Sequence, residues 1–95
     1  MDEFDSLVAQ QMGRRVKRRR QYLDLSQEAL AERAGIHRTQ ISLFEHGERQ
    51  PLTSTLVKLA AALEVSTDQL LVGVEWKVVA GPPLSREVIL AAEEA

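Results

Sequence analysis

Apolar residues recur at intervals of three or four along most of this chain, which is the period of one face of an α-helix. In the first such stretch, Phe4, Val8, Met12 and Val16 predict one long helix that begins at about residue 3. Gly13 is a weak point within this helix, because glycine lowers helix stability by about 1 kcal/mol relative to alanine. The same period predicts further helices between residues 26 and 35, over 38–46, over 54–63 and between 66 and 73. Ser26 is the predicted N-cap of the first of these, and Ser66 is predicted to form a capping box with Gln69 at the start of the last.

The stretch from Gln27 to Phe44 has the pattern of two short helices joined by a tight turn. Ala31 falls where two helix backbones cross closely, and Gly35 can adopt the positive φ that ends one helix and turns the chain into the next. Ile41 and Phe44 are three residues apart and are predicted to face the core. The outward face of the second helix then carries Arg38, Thr39, Ser42 and Leu43. This pattern is typical of a helix-turn-helix, whose second helix enters the major groove of DNA.

The balance of charge changes along the chain and qualifies its formal net charge of −2. Between Arg14 and Lys58 there are 10 basic and 5 acidic residues, which give this segment a charge of +5, whereas both flanks are acidic. Contacts with phosphates need a positive surface rather than a basic chain as a whole. The charge pattern is therefore compatible with a nucleic-acid partner.

Length and composition bound the other classes of function. A chain of 95 residues suits one domain, and so small a core favours dimerisation as a source of further buried surface. There is no cysteine, and the two histidines have no fitting set of carboxylates, so neither a cofactor nor a metal site is predicted. No nucleophile with a neighbouring base is visible, which argues against an enzyme. The acidic start and the lack of a membrane-length apolar run predict a soluble, cytoplasmic protein without a membrane partner.

One long segment resembles a known family. It reads LSQEALAERAGIHRTQISLFEHGERQP, continues through LVKLAAALEVSTDQLL, and is similar to the helix-turn-helix family of phage repressor and Cro proteins, the xenobiotic-response-element (XRE) regulators. The resemblance covers roughly Gly13 to Gly73, and His37 departs from it because the family often has serine or threonine there as a helix cap. It implies an all-α, five-helix, lambda-repressor-like DNA-binding domain over residues 1–73. The short strand and helix extension over 74–95 is predicted separately, from local pattern. It also implies a sequence-specific transcriptional regulator, with repression favoured, that binds double-stranded DNA as a dimer on a palindromic operator.

Four outward residues are the candidates for contacts with bases. Arg38 can donate two hydrogen bonds to guanine O6 and N7, the commonest specific contact in the major groove. Thr39 and Ser42 can reach base edges or phosphates, and Leu43 can contact a thymine methyl group. Together they predict a site with at least one G·C pair and a nearby thymine. The alternative that Arg38 only grips a phosphate stays open.

Other polar residues are candidates for phosphate contacts or for internal support. In the family, the residue matching Gln27 binds a phosphate through its amide at the start of the second helix, and the loop after the third helix rests on phosphates. The phosphate-contacting candidates are Gln27, Gln40, His46 and Arg49. The resemblance also implies an internal ion pair between Arg20 and Glu45 that ties the first helix to the third. The rest of the basic run that begins at Arg14 either follows phosphates or forms a solvated face.

The extension after residue 73 is predicted from local pattern alone. Alternation over residues 74–79 favours a strand, and Pro82 and Pro83 separate it from a short helix predicted over residues 85–92. Two chains could pair these strands across a two-fold axis, with Trp76 adding apolar contact, and so form a dimerisation arm. Alternatively, the extension packs on its own domain or is partly disordered.

A second class of function stays open beside DNA regulation. The same helical head occurs in antitoxins and in restriction-modification controller proteins, and it can also serve as an interaction module that binds a partner protein. The outward residues of the third helix are not exclusive to DNA readers. A steep loss of affinity with added salt, together with preference for one sequence, identifies a DNA reader.

Overall fold

The computed structural model describes residues 1–78 and 88–90. Within residues 1–78 the chain forms five α-helices. They are α1 (Glu3–Tyr22), α2 (Gln27–Ala34), α3 (Arg38–Glu45), α4 (Thr53–Ala62) and α5 (Thr67–Leu70). The all-α, five-helix class predicted from the sequence is confirmed.

Polar side chains at the helix starts explain where four of the helices begin, and at α1 Asp2 forms a capping box with Asp5. Ser26 accepts a hydrogen bond from the first turn of α2, and Ser66 forms a capping box with Gln69 at the start of α5, as predicted. His37 caps α3 although it is neither serine nor threonine, because its Nδ1 accepts the backbone N–H of Thr39 at 3.1 Å. The departure from the family pattern therefore keeps the capping hydrogen bond.

α1 crosses the C-terminal end of α3 at Gly13, where the two backbones lie close together. A Cβ on Gly13 would overlap the carbonyl oxygen of Phe44, so a larger residue at this position would force the two helices apart. Val16 and Phe44 are both buried beside this crossing. The glycine that lowers the helical propensity of α1 is thus the residue that lets α1 pack against α3.

The basic run in α1 divides into structural and exposed members. Arg15 Nη1 donates to the carbonyl of Leu70 at 3.3 Å, and Arg19 Nε donates to the carbonyl of Leu63 at 2.8 Å. These carbonyls lie at the ends of α5 and α4, where a cation also interacts favourably with the helix dipole. Arg20 likewise points inward, to Glu45. The exposed members of the run are Arg14, Lys17 and Arg18.

The first turn of α1 contacts two segments that are distant in sequence. Gln50, in the loop between α3 and α4, donates from Nε2 to the carbonyl of Asp5 at 2.8 Å. The rings of Phe4 and Trp76 pack edge-to-face, with centroids 4.6 Å apart and an interplanar angle of 64°. The N-terminal part of α1 is therefore held both by the α3–α4 loop and by the start of the extension.

The extension forms a short antiparallel pair of strands, β1 (Trp76–Val78) and β2 (Val88–Leu90). The register places Trp76 opposite Leu90 and Val78 opposite Val88. The predicted strand over 74–79 is thus observed at residues 76–78, and position 79 lies outside the described residues. One edge of β1 is paired within its own chain.

The predicted helix over residues 85–92 is wrong at residues 88–90, which form β2. Val88 and Ile89 are β-branched and suit an extended chain, and pairing with β1 gives their backbone groups partners that an isolated short helix would lack. The remaining residues of that predicted helix lie outside the described ones.

Candidate nucleic-acid interface

The turn between α2 and α3 sets the angle at which α3 leaves the domain. Gly35 has φ 69° and ψ 36°, in the left-handed region, and the prediction of a positive φ there is confirmed. The N–H of Ile36 donates across the turn to the carbonyl of Ala31 at 3.0 Å. This hydrogen bond, next to a glycine in the left-handed region, is a common way for an α-helix to end. No atom lies within 4 Å of a Cβ built on Gly35, so the requirement for glycine comes from the dihedral angle rather than from space.

The two faces of α3 differ sharply in burial. Ile41 is 0% exposed and Phe44 is 2% exposed, so both belong to the core. Arg38 and Thr39, in the first turn of the helix, are exposed. Ser42 and Leu43, the other base-contacting candidates, are half-buried. Thr39, Ser42 and Leu43 lie on the side of α3 that is turned away from the core. Arg38 lies one turn before Ile41 and is exposed because it is the first residue of the helix. A ligand along this helix could reach all four.

An internal network of polar side chains fixes α3 to α1 and α2. Arg20 Nε lies 2.6 Å from Glu45 Oε2, Arg20 Nη2 lies 3.1 Å from Glu45 Oε1, and Arg20 Nη1 donates to the carbonyl of Leu25 at 2.8 Å. Gln27 Nε2 donates to Glu45 Oε1 at 3.1 Å. The side chains of Arg20 and Glu45 are 12% and 2% exposed. One carboxylate thus accepts hydrogen bonds from two helices.

The same network affects the protonation of Arg20. The hydrogen bonds to Glu45 raise the pKa of Arg20, against the opposing effect of burial, and the charge of Glu45 raises it further. The guanidinium therefore stays charged throughout the pH range in which proteins are normally handled. The protonation of Arg20 consequently does not make the ion pair between α1 and α3 depend on pH in this range.

A second arginine–glutamate pair lies on the surface, beside the outward face of α3. Arg38 Nε is 3.2 Å from Oε2 of Glu28, which belongs to the first turn of α2. The two side chains are 59% and 67% exposed. This contact between Glu28 and Arg38 was not identified from the sequence. The sequence feature that could have indicated it is the position of Glu28, one residue after Gln27 at the start of the helix that precedes α3.

The phosphate-contacting candidates occupy different environments. Gln27 is half-buried, and its amide already donates to Glu45, as described above. Gln40 is half-buried on the side of α3, whereas Arg49 is exposed in the loop that follows α3. The Nδ1 of His46 lies 2.7 Å from the carbonyl of Ser42, and since a carbonyl only accepts, the ring donates here. Gln40 lies within α3, and Gln27 and His46 lie next to it. Arg49 follows α3 in the chain.

Over residues 1–78 and 88–90, no three histidine, aspartate or glutamate side chains come together as ligands for a metal ion. In the same part of the chain, no helix has both the length and the apolar character needed to cross a membrane.

These features define a class of protein: a small helical domain in which a glycine turn presents one helix, with polar side chains outward, beside the start of another. A helix-turn-helix family model, HTH_3, matches residues 16–70. Control protein C.SmaI of Serratia marcescens is 52% identical over 48 residues, which are 50% of this chain and 57% of that protein. The repressor protein C2 of Salmonella phage P22 is 39% identical over 64 residues, 67% of this chain but 30% of that protein.

Solved structures agree with the sequence matches. The P22 c2 repressor in complex with synthetic operator 9T has a TM-score of 0.64 and 39% identity, over 67% of this chain and 97% of that chain. The restriction-modification controller protein C.AhdI of Aeromonas hydrophila has a TM-score of 0.63 and 32% identity, over 65% of this chain and 94% of that chain. The chain belongs to the helix-turn-helix family of Cro/C1-type, XRE transcriptional regulators, which includes phage repressors and control proteins. The family resemblance predicted from the sequence is confirmed, and its members are DNA-binding regulators rather than enzymes.

Proposed function

We propose that this chain is a sequence-specific repressor that binds a palindromic operator as a dimer, with α3 in the major groove. The observation that carries this proposal is the exposure of Arg38 and Thr39 on a helix that Ile41 and Phe44 fix in the core. A rigid helix of this kind can enter a groove without rearrangement of the domain. The relative solved with synthetic operator 9T supports double-stranded DNA as the ligand.

The candidate base contacts follow from the chemistry of the outward side chains. Arg38 donates to guanine O6 and N7, and Leu43 contacts a thymine methyl group. Thr39 and Ser42 have hydroxyl groups that can donate to a base or accept from one. The hydroxyl of Ser42 lies 3.4 Å from Nδ1 of His46, so its orientation is coupled to the residue that follows α3.

The candidate phosphate contacts surround this face. Gln27 donates one amide N–H to Glu45 and retains a second N–H, which can donate to a phosphate beside the start of α2. Gln40 and Arg49 supply further donors along and after α3. His46 already donates from Nδ1 to the carbonyl of Ser42, so its contact with a phosphate would require a proton on Nε2 as well. In this arrangement the internal network orients Gln27, and the phosphate contacts set the register of α3 in the groove.

A dimer accounts for the length of the expected site. Two copies related by a two-fold axis would place their α3 helices in successive major grooves, about 34 Å apart. The extension is our candidate for the dimer contact, because Trp76 is 47% exposed and Val78 is 73% exposed on β1. Removal of residues 74–95 should then leave a monomer in a measurement of mass in solution. An unchanged dimer would assign the contact to the helical domain.

Selection of binding sites from random duplex DNA tests the proposal as a whole. We expect enrichment of a palindrome whose half-sites are about 10 base pairs apart, each with a G·C pair and a nearby thymine. Affinity for the enriched site should fall steeply as salt is added, while the preference over a scrambled duplex persists. Absence of any enriched sequence at low ionic strength would contradict the proposal and favour the interaction-module alternative.

A further inference from the structure

The ion pair between Arg38 and Glu28 is not needed to hold the fold. Both side chains are mainly exposed, at 59% and 67%, and exposed pairs contribute little to folding. The geometry between α2 and α3 is already set by the turn at Gly35 and by the buried side chains of Leu30 and Ile41. The pair nevertheless lies at the first residue of α3, where the candidate reader of guanine is located. Its position suits binding better than stability.

The contact with Glu28 leaves the two terminal nitrogens of Arg38 available for a guanine. A guanidinium carries five N–H donors in a planar fork, and a bidentate contact with O6 and N7 uses two of them. Glu28 lies against Nε, so the edge formed by Nη1 and Nη2 is still able to face a pair of acceptors. Because Glu28 belongs to a rigid helix, the contact also restricts the rotamers of a long side chain before DNA arrives.

The charge of Glu28 acts differently on the two kinds of DNA contact. In a complex without sequence preference, an arginine near the groove is drawn to the phosphates. A carboxylate beside that arginine repels phosphates and competes with them for the guanidinium. Base edges carry no net charge, so the same carboxylate opposes a guanine contact less strongly than a phosphate contact.

We infer that Glu28 is a specificity-determining residue that acts through Arg38, by holding the guanidinium toward base edges and by lowering affinity for duplex DNA of other sequences. This inference rests on the proposed function, because it requires that α3 enters the groove. Glu28 is thus a positioning residue for Arg38, and its charge also helps the protein to distinguish its own site from other DNA sequences.

The test replaces Glu28 with glutamine in the full chain, because Glu28→Gln removes the charge and preserves the size of the side chain. The matched control is Glu64→Gln, which removes the same charge from the surface pair that Glu64 forms with Arg33 at 3.0 Å, away from α3. Affinities are measured for the selected duplex and for a scrambled duplex over a range of salt concentrations. Thermal unfolding of each variant checks that the fold is retained.

We expect Glu28→Gln to raise affinity for the scrambled duplex by roughly threefold to tenfold and to lower the ratio of selected to scrambled affinity. The slope of log affinity against log salt on the scrambled duplex should steepen by about 0.9, the value for one added phosphate contact. Glu64→Gln should change neither ratio nor slope to this extent. In an Arg38→Ala background, Glu28→Gln should lose most of its effect on the ratio, because it acts through Arg38.

The outcomes separate this inference from the proposed function. If the unaltered protein prefers the selected duplex but Glu28→Gln leaves the affinity ratio unchanged, the role of Glu28 is overturned and the proposed function stands. An equal effect of Glu28→Gln and Glu64→Gln also overturns it, because the change would then reflect net charge alone. If the unaltered protein shows no sequence preference, both are overturned.

Discussion

The domain contains two arginine–glutamate pairs that join α3 to the rest of the molecule and that differ mainly in their exposure to water. Arg20 and Glu45 are 12% and 2% exposed, with a separation of 2.6 Å. Arg38 and Glu28 are 59% and 67% exposed, with a separation of 3.2 Å. The inner pair is surrounded by further hydrogen bonds and holds α3 in place, whereas the outer pair leaves its arginine available to a ligand. The same two side-chain types therefore stabilise the fold where they are buried, and are available for DNA recognition where they are exposed to water.

Neighbours in sequence divide between these two pairs. Gln27 turns inward and donates to Glu45, whereas Glu28 turns outward and pairs with Arg38. Successive residues of a helix are separated by about 100° around its axis, so one turn of α2 can support both pairs. The start of α2 consequently contributes one residue to the buried Arg20–Glu45 network and the next residue to the face that we propose contacts DNA.

The largest effect on folding should come from Arg20→Ala. Removal of the guanidinium would leave the carboxylate of Glu45 buried without its charged partner, and we expect a loss of about 3 kcal/mol in the free energy of unfolding, measured by urea denaturation. The raised pKa of Arg20 means that this contribution is fully present below the ordinary arginine pKa. The loss should therefore be equal at about pH 7 and pH 9. A loss below about 1 kcal/mol would show that the inner pair behaves like an exposed one.

The next effect concerns affinity rather than stability. Arg38→Ala should cost about 1 to 3 kcal/mol of binding free energy on the selected site and relax the choice of base at one position. Because the side chain of Arg38 is 59% exposed, unfolding free energy should change by less than about 0.5 kcal/mol. Competition binding against duplexes that vary at each position provides the measurement. An equal loss on every duplex would assign Arg38 to phosphate contact instead.

A smaller and uniform effect is expected for Gln27→Ala. Loss of the amide removes one candidate phosphate donor and one hydrogen bond to Glu45, so affinity should fall by about 1 kcal/mol on selected and scrambled duplexes alike. Gln21→Ala is the matched control, since Gln21 is an exposed glutamine of α1. A loss confined to the selected duplex would make Gln27 a base-reading residue.

The parts of the fold that sequence could predict are those decided by near neighbours. The turn at Gly35 and the caps at Ser26 and Ser66 depend on residues within a few positions, and each was predicted. The separation of Ile41 and Phe44 from Thr39, Ser42 and Leu43 follows from helical period, whereas the exposure of Arg38 follows from its place as the first residue of α3. These local features also define most of the candidate site, which is why the outward residues of α3 could be named before the structure.

The features that sequence missed depend on contacts across long distances in the chain. Gly13 reads as a weak point in α1 until α3 is placed against it, and the inward direction of Arg15 and Arg19 depends on where α5 and α4 end. β2 was mistaken for a helix because its partner strand, β1, supplies hydrogen bonds that local pattern does not reveal. The contact of Glu28 with Arg38 was missed for the same reason, since it requires the angle between α2 and α3.

The smallest effect should follow from Arg33→Ala, which removes a third pair that is exposed like the outer one but lies away from α3. Arg33 and Glu64 are 41% and 57% exposed and 3.0 Å apart, so we expect a change of less than about 0.5 kcal/mol in unfolding free energy. Affinity for both duplexes should stay within about twofold of the unaltered protein, because this pair faces no candidate DNA contact. Double-mutant cycles on the three pairs give the direct measurement. A coupling energy for Arg33 and Glu64 as large as that for Arg20 and Glu45 would mean that burial does not distinguish the pairs.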